Sequence, residues 1–417
     1  IGSRAMPQQW LKHVEKYPQI PFIFLHMGCF DYGYGCVDLA GRYENIYLET
    51  SNQYEVQILK KAVTTAPQDK LLFGSSYPER LTKCSLDVLD MFHMEEQIRQ
   101  ILPEKVRQAF DDIVEQRVLG ASKHNAMIGE MFEAIADRGL QEHKKPADII
   151  EEIKKVADYF IATRGEASQA VSNAILLMIH NIDQYSDLES AEAVRKILET
   201  KNAYARTAKE SVDVCVSYGV KLAEPMSRIF VYDYSSTVEK FLRSLQKNNK
   251  PYEIYIAESR VIDGGKPFVR ACLESGYKIK FIPEASMMYY LKDCDGAFMG
   301  AETFYPDGTG FNTTGSDIVG LICDYYKIPL YFLTPLIKVD IRPLTGGRKN
   351  LVYKDLHEKL SYNWEKDLDT ENINFVTPEL LGVDPKFIRA FVTEKGVVPA
   401  GSMYELSVQY SKELRGE

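Results

Sequence analysis

The feature that most limits how this chain can fold is a cadence running from about residue 254 to 340. Apolar, strand-like runs lead into polar clusters, and helical patterns follow. Ile254-Tyr255-Ile256-Ala257 opens into Glu258-Ser259-Arg260, and later come Gly300-Ala301-Glu302, Asn312-Thr313-Thr314-Gly315-Ser316 and Ile328-Pro329-Leu330-Tyr331-Phe332. In a parallel α/β sheet this phase puts the polar residues at the carboxyl ends of strands, where ligands bind.

The chain has 417 residues, enough for two or three domains at ~100–200 residues each. It opens on Ile1-Gly2-Ser3 without an initiator Met, the pattern of a fragment or a processed chain. A formal net charge of -9 argues against a general nucleic-acid-binding surface, so no direct nucleic-acid binding is expected. No apolar run approaches the ~20 residues of a membrane helix, and no signal peptide opens the sequence. The seven cysteines are scattered without a C-x-x-C pair, which suits reduced thiols in a cytoplasmic protein rather than a disulfide framework or a zinc site. No cofactor and no metal are expected.

Residues 1–120 alternate strand candidates (Pro21-Phe22-Ile23-Phe24-Leu25, Asn45-Ile46-Tyr47-Leu48-Glu49, Lys70-Leu71-Leu72-Phe73) with helical segments near 7–17, 53–66, 85–92, 95–101 and 104–118. This βα alternation implies a parallel, partial (β/α) barrel-like segment, too short to close an eight-stranded barrel. Either the remaining strands were lost or they lie upstream of residue 1. Residues 121–225 read as a helical subdomain, from apolar sets such as Ile149, Ile150, Ile153, Val156 and Phe160. Gly139 and Lys144-Lys145-Pro146 are expected to separate its first two helices. Residues 226–417 read as a doubly wound, Rossmann-like parallel sheet. Within them 341–374 is a polar loop or arm.

Over roughly 122–400 the motifs resemble the initiation factor 2B alpha/beta/delta family, which includes methylthioribose-1-phosphate and ribose-1,5-bisphosphate isomerases. Thr163-Arg164-Gly165-Glu166-Ala167 is similar to the family's Thr-Arg-Pro-Thr-Ala segment. The resemblance makes Arg164 a phosphate ligand, since a guanidinium pairs bidentately with phosphate; an exposed Arg at a helix start is the plainer alternative. In Ile229-Phe230-Val231-Tyr232-Asp233-Tyr234-Ser235-Ser236, Asp233 stands where the isomerases carry a catalytic Cys. Ser235 and Ser236 begin a helix whose N-terminus is an anion site, or they simply cap it.

Glu258-Ser259-Arg260 matches the family's Glu-Ser/Thr-Arg, with Val261 in place of the usual Pro. By resemblance Arg260 meets a phosphate, and Glu258 meets sugar hydroxyls or orients Arg260; a structural Arg–Glu pair competes with this. Gly300-Ala301-Glu302 stands for Gly-Ala-Asp, the family's catalytic Asp becoming Glu302. The added methylene moves the carboxylate ~1.5 Å, and misplacement by about 1 Å can cost ~100-fold in a positioned step. Asn312 and Gly315 keep the Asn-Lys-Ile-Gly-Thr pattern, but its Lys is Thr313. Lys338 restores some positive charge.

The resemblance thus implies a pocket for a phosphorylated sugar or a nucleotide monophosphate, with Arg164, Ser235, Ser236, Glu258, Arg260, Asn312, Gly315 and Lys338 as ligand-binding candidates. The standard Cys–Asp pair is replaced by Asp233 and Glu302. This favours a regulatory or catalytically altered protein, with a carboxylate-pair aldose–ketose isomerase as the alternative. The family also implies a homodimer or hetero-oligomer.

In the front segment, Phe24-Leu25-His26-Met27-Gly28, Asn45-Ile46-Tyr47-Leu48-Glu49-Thr50 and Leu72-Phe73-Gly74-Ser75-Ser76-Tyr77-Pro78 resemble the last third of a metal-dependent amidohydrolase. There His26 would be the acid–base residue. Ser76 occupies the position of the family's Asp, and no His-x-His pair is present. No zinc site with three protein ligands can be assembled from this chain alone, so hydrolysis would need upstream residues. The plainer reading is a relic module used for packing.

Overall fold

The computed structural model describes residues 7–28, 32–53, 55–79, 82–115, 117–118, 120–166, 168–349, 351–365 and 368–415. Cys29 and Ala167 lie outside the described residues. The chain divides into two compact units, Ile1–Leu102 and Pro103–Glu417.

The first unit runs α1 (Leu11–Lys16), β1 (Phe22–Phe24), α2 (Gly33–Arg42), β2 (Ile46–Glu49), α3 (Val56–Thr65), β3 (Leu71–Leu72) and α4 (Thr82–Ile101). The three strands form a parallel sheet in the order β1-β2-β3. Alternation sends Ile46 and Leu48 into a core with Val14, Met27, Val37 and Ile58. The two helices expected over 85–92 and 95–101 are one helix, because neither Gly nor Pro falls between them.

The second unit begins with helices α5 (Glu104–Val114), α6 (Ala121–Gln141), α7 (Pro146–Phe160), α8 (Gln169–Met178) and α9 (Ser190–Leu222), with a π-turn over Ile161–Gly165. Contrary to expectation α6 runs through Gly139. A Cβ there would stand 2.5 Å from Ile149 Cγ1, so this glycine lets α7 approach closely rather than ending a helix. The N-terminus of α9 is capped by Glu189, whose carboxylate accepts from the Ala191 and Glu192 amides. Farther along, α9 lays Val216 and Val220 against the sheet.

The remaining elements are β4 (Arg228–Val231), α10 (Ser236–Ser244), β5 (Glu253–Ala257), α11 (Lys266–Glu274), β6 (Lys278–Ile282), α12 (Met287–Leu291), β7 (Gly296–Met299), β8 (Thr303–Phe304), β9 (Gly310–Thr313), α13 (Ser316–Tyr326), β10 (Leu330–Leu333), β11 (Tyr353–Asp355), α14 (His357–Leu360), β12 (Val376–Pro378), β13 (Leu380–Val383), β14 (Ala390–Thr393), β15 (Gly396–Val398) and α15 (Met403–Arg415). Seven strands form the main sheet in the order β15-β14-β10-β7-β4-β5-β6. All neighbours are parallel except the edge strand β15. From β4 the chain winds outward through β5 and β6, then returns to β7, β10 and β14. This is the doubly wound order expected from the cadence.

Both faces of the sheet are covered. Ile229 and Val231 of β4 pack with Val216, Phe241 and Phe268 on one face. Phe230, with Tyr232 two residues on, packs with Met287, Val319 and Phe391 on the other. That explains the nearly unbroken apolar strands. A small antiparallel sheet, β13-β9-β8, rises beside the main one.

Candidate functional site

The strand order reverses between β4 and β7, and a crevice of an open α/β sheet opens at such a point. Asp233 follows β4 and Glu302 follows β7, so the two carboxylates expected to replace the Cys–Asp pair flank the switch point.

Asp233 is 3% exposed and has φ 59°. Its Oδ1 accepts from the Ser259 hydroxyl at 3.0 Å and its Oδ2 from the Thr313 hydroxyl at 2.8 Å. A Cβ on Gly264 would fall 2.0 Å from Oδ1, so that glycine roofs the carboxylate. Burial pushes the Asp233 pKa up to about 6; hydrogen bonds from Thr313, Ser259 and the Tyr234 amide oppose the shift, while nearby Glu302 adds to it. Thr313, noted in the sequence as a lost lysine, is therefore a donor to Asp233. Ser259, likewise fully buried, is another donor the sequence did not single out.

A second buried pair lies next door. The Tyr232 hydroxyl donates to the Glu284 carboxylate and lies 2.6 Å from the Thr314 carbonyl oxygen. Burial, then Glu284, raises its pKa. The other oxygen of Glu284 accepts from the Arg260 amide at 2.9 Å. Gly315, at φ 103°, makes room for this: a Cβ there would stand 2.0 Å from the Tyr232 hydroxyl oxygen. No sequence motif pointed to Glu284, because its partners Tyr232 and Arg260 come from two other strand ends.

Ser235 occupies the N-cap position of α10 but makes no side-chain capping hydrogen bond, and Ser236 is the first residue of the helix. A Cβ at Gly300 would come within 2.4 Å of Ser235 Cβ and Oγ, so the bare backbone of residue 300 is what lets β7 and this turn meet. Glu258 and Arg260 are paired at 3.3 Å and both are partly exposed. Among the described residues the Glu302 carboxylate has neither a hydrogen bond nor an ion pair. Asn312 is 5% exposed, and among the described residues its buried Nδ2 has no acceptor.

Lys338 Nζ donates to the Ala301 carbonyl at 2.6 Å; burial lowers its pKa, against the attraction of Glu302. Its turn is held from several sides. Thr303 Oγ1 donates to the Lys338 carbonyl at 2.8 Å, Glu394 accepts from the Leu336 amide at 3.0 Å, and Asn173 Nδ2 on α8 donates to the Ile337 and Val339 carbonyls at 2.8 and 3.0 Å. Arg164 lies in the π-turn after α7 and donates to the Val114 carbonyl at 2.5 Å. Two residues on, Glu166 pairs with Arg342, which also pairs with Asp340 beside the Lys338 turn.

His26, by contrast, belongs to the first unit. Its Nδ1 lies 2.7 Å from Ser51 Oγ and 2.9 Å from the Ser51 carbonyl, while Ser51 Oγ donates to Glu49. Ser76 Oγ accepts from Asn52. Among the described residues no group of three or more His, Cys, Asp or Glu side chains could hold a metal ion. Cys215, Cys272, Cys294 and Cys323 are buried free thiols.

Residues 120–400 match the initiation factor 2 subunit family. The chain belongs to that family. The match leaves the first unit outside it. A putative translation initiation factor eIF-2B subunit 2-like protein of Pyrococcus furiosus is 22% identical over 299 residues, covering 72% of this chain and 98% of that protein. The ribose 1,5-bisphosphate isomerase of the same organism is 19% identical, covering 70% of this chain and 91% of that protein. In structure, 5-methylthioribose 1-phosphate isomerase of Pyrococcus horikoshii matches with a TM-score of 0.59 at 17% identity, over 76% of this chain and 92% of that one. The last likeness concerns the fold.

Proposed function

We propose that this family member binds a phosphorylated sugar or a nucleotide monophosphate in the crevice between β4 and β7, as a regulatory protein or one with altered catalysis. The observation that carries the reading is the unmatched donor and acceptor at the crevice: Asn312 Nδ2 buried without an acceptor, and a Glu302 carboxylate without a hydrogen bond among the described residues. A buried unpaired donor costs ~1–3 kcal/mol, which a ligand oxygen would recover. Arg260 and Lys338 supply positive charge at the two ends, and Glu302 offers an acceptor for sugar hydroxyls. The test is a thermal-shift screen with ribose 1,5-bisphosphate, methylthioribose 1-phosphate, hexose phosphates and nucleoside monophosphates. A ligand at 100 times its Kd should add ~2.7 kcal/mol of stability. The shift should disappear in Arg260→Ala; silence across the panel would sink the reading.

A carboxylate-pair isomerase is the second reading, favoured by the Asp233 pKa of about 6. A carboxyl poised there can exchange protons near neutral pH. Conversion of ribose 1,5-bisphosphate that is lost in Glu302→Gln would establish it. Unchanged substrate after prolonged incubation leaves the binding role alone.

The same reading has the protein pairing with a second copy or a sister subunit. Ile318, Leu321 and Tyr325, spaced along one stripe of α13, are 49%, 56% and 68% exposed. Light scattering on the full chain and on Leu321→Glu tests the pairing, a monomer in both cases ruling it out.

A further inference from the structure

Between Lys349 and Pro378 the chain forms an arm that touches the crevice on two sides. At its base the Lys349 amide donates to the Tyr305 hydroxyl at 2.8 Å, the Thr314 amide donates to the Glu379 carbonyl at 2.9 Å, and the Glu379 amide donates to the Val352 carbonyl at 2.8 Å. These contacts lie on the β8–β9 side. The far part of the arm, α14, reaches the opposite side, the turn after β5. There Lys359 Nζ lies 3.2 Å from the Arg260 carbonyl, 3.2 Å from the Val261 carbonyl and 2.7 Å from Asp263 Oδ2. One ammonium thus satisfies three acceptors on a single four-residue stretch, and an ammonium has three donors to give.

Within itself that stretch is closed by backbone turns, the Ile262 and Gly264 amides donating to the Ser259 carbonyl at 3.3 and 3.2 Å and the Gly265 amide to the Glu258 carbonyl at 3.1 Å. Ser259 and Asp263 both sit at positive φ, 50° and 56°, a region that is costly for Ser and better tolerated by Asp. Yet two crevice features depend on it: Ser259 orients Asp233, and Arg260 presents its guanidinium beside Glu258. Strained backbone persists only where its surroundings over-determine it. On one side the determinant is Glu284, through the Arg260 amide. On the other it is Lys359, which comes from a point about a hundred residues along the chain.

We infer that Lys359 is a positioning residue for the ligand site: the arm's ammonium holds the 259–263 turn so that Ser259 and Arg260 face the crevice. The inference rests on the binding reading above for its functional consequence, but not for its structural one. The arm then sets the β5 half of the site, so a change in the arm alters affinity without touching ligand. Its outward aromatic side chains, Tyr353 and Tyr362, are 60% and 76% exposed, so a partner gripping the arm would act on the turn through Lys359.

The test uses the full chain and two readouts. Hydrogen exchange in Lys359→Met should speed exchange of the Ile262, Gly264 and Gly265 amides at least ~10-fold while the β4 and β5 amides stay as protected as in the parent, because local opening is read amide by amide. Lys359→Arg, which keeps a cation with several donors, should restore the protection. Ribose 1,5-bisphosphate is the binding probe. Its Kd should rise ~10-fold or more in Lys359→Met, and the losses from Lys359→Met and Arg260→Ala should be less than additive, as expected of residues acting through one turn. Unchanged exchange in the turn overturns the inference whatever the ligand does. Faster exchange with an unchanged Kd, or fully additive losses, overturns its functional half. Failure of the parent protein to bind any phosphorylated probe sinks the binding reading instead, and the exchange data still decide whether Lys359 sets the turn.

Discussion

Asp233 and Ser259 both adopt left-handed backbone, at φ 59° and 50°, and the Ser259 hydroxyl joins them by donating to Asp233 Oδ1 at 3.0 Å. Each is the first strained residue after one of two adjacent strands, β4 and β5. The hydrogen bond therefore braces two strand ends against each other. Non-glycine residues held at positive φ cost of order 1–3 kcal/mol each, and such strain gathers at ligand sites. The brace also carries an electrostatic cost, since it keeps a carboxylate away from water.

That cost sets a pH dependence. A carboxyl raised from 3.8 to about 6 binds its proton more tightly folded than unfolded. Stability from this group is therefore greatest below about pH 4, falls as pH rises through the interval from 4 to 6, and is lower by ~3 kcal/mol above it. Urea unfolding of the parent and of Asp233→Asn at pH 4.5 and 7.5 checks this. The variant should lose less stability between the two conditions than the parent does. Parallel losses would mean that Asp233 ionises at its ordinary value.

Gly300→Ala should destabilise the protein by ~1–3 kcal/mol, the usual cost of overpacking, because its methyl group would overlap Ser235. Adding Ser235→Gly should recover much of the loss. Thermal unfolding of the single and double variants measures both effects, and equal losses in the two would place the clash elsewhere.

Asn312→Leu separates stability from binding. Removing a buried donor that has no acceptor should leave the melting temperature unchanged or raise it, while abolishing any thermal shift produced by a phosphorylated ligand. Retained ligand response would free Asn312 of a binding role.

Asn173→Ala removes the donors to the Ile337 and Val339 carbonyls, leaving the first part-buried and the second buried without that partner. A loss of ~1–3 kcal/mol in denaturant unfolding is expected. A ligand-dependent shift weakened as well would show that the Lys338 turn carries the effect.

Much of the sheet was legible in the chain because its strands are short apolar runs buried on both faces and punctuated by polar turns. Ile229 to Val231 and Leu330 to Leu333 read as strands for that reason. The positions of Asp233 and Glu302 just past β4 and β7 followed from the same phase, whereas Asn312 lies within β9 of the small antiparallel sheet rather than at a strand end of the main one. The contacts that define the site were not legible, since they join residues far apart in sequence. Thr313 reaches Asp233 across 80 positions, and Arg260 meets Glu284 from a neighbouring strand end. In the sequence Thr313 counts only as a missing lysine; in the fold it is a hydroxyl donor. Gly139 misled for a related reason: as a local signal it ends helices, whereas here it answers to Ile149 on another helix.

The grip of Asn173 on the turn carrying Lys338 bears on how the protein can be divided. A chain starting at β4 would keep all seven strands of the main sheet yet strip Ile337 and Val339 of their donor and bare the sheet face that Val216 and Val220 cover. The helices ahead of the sheet are thus a wall of the same room rather than an annexe. Fragments meant to isolate the crevice should keep α8 and α9, and a ligand that tightens the crevice should slow unfolding of those helices too.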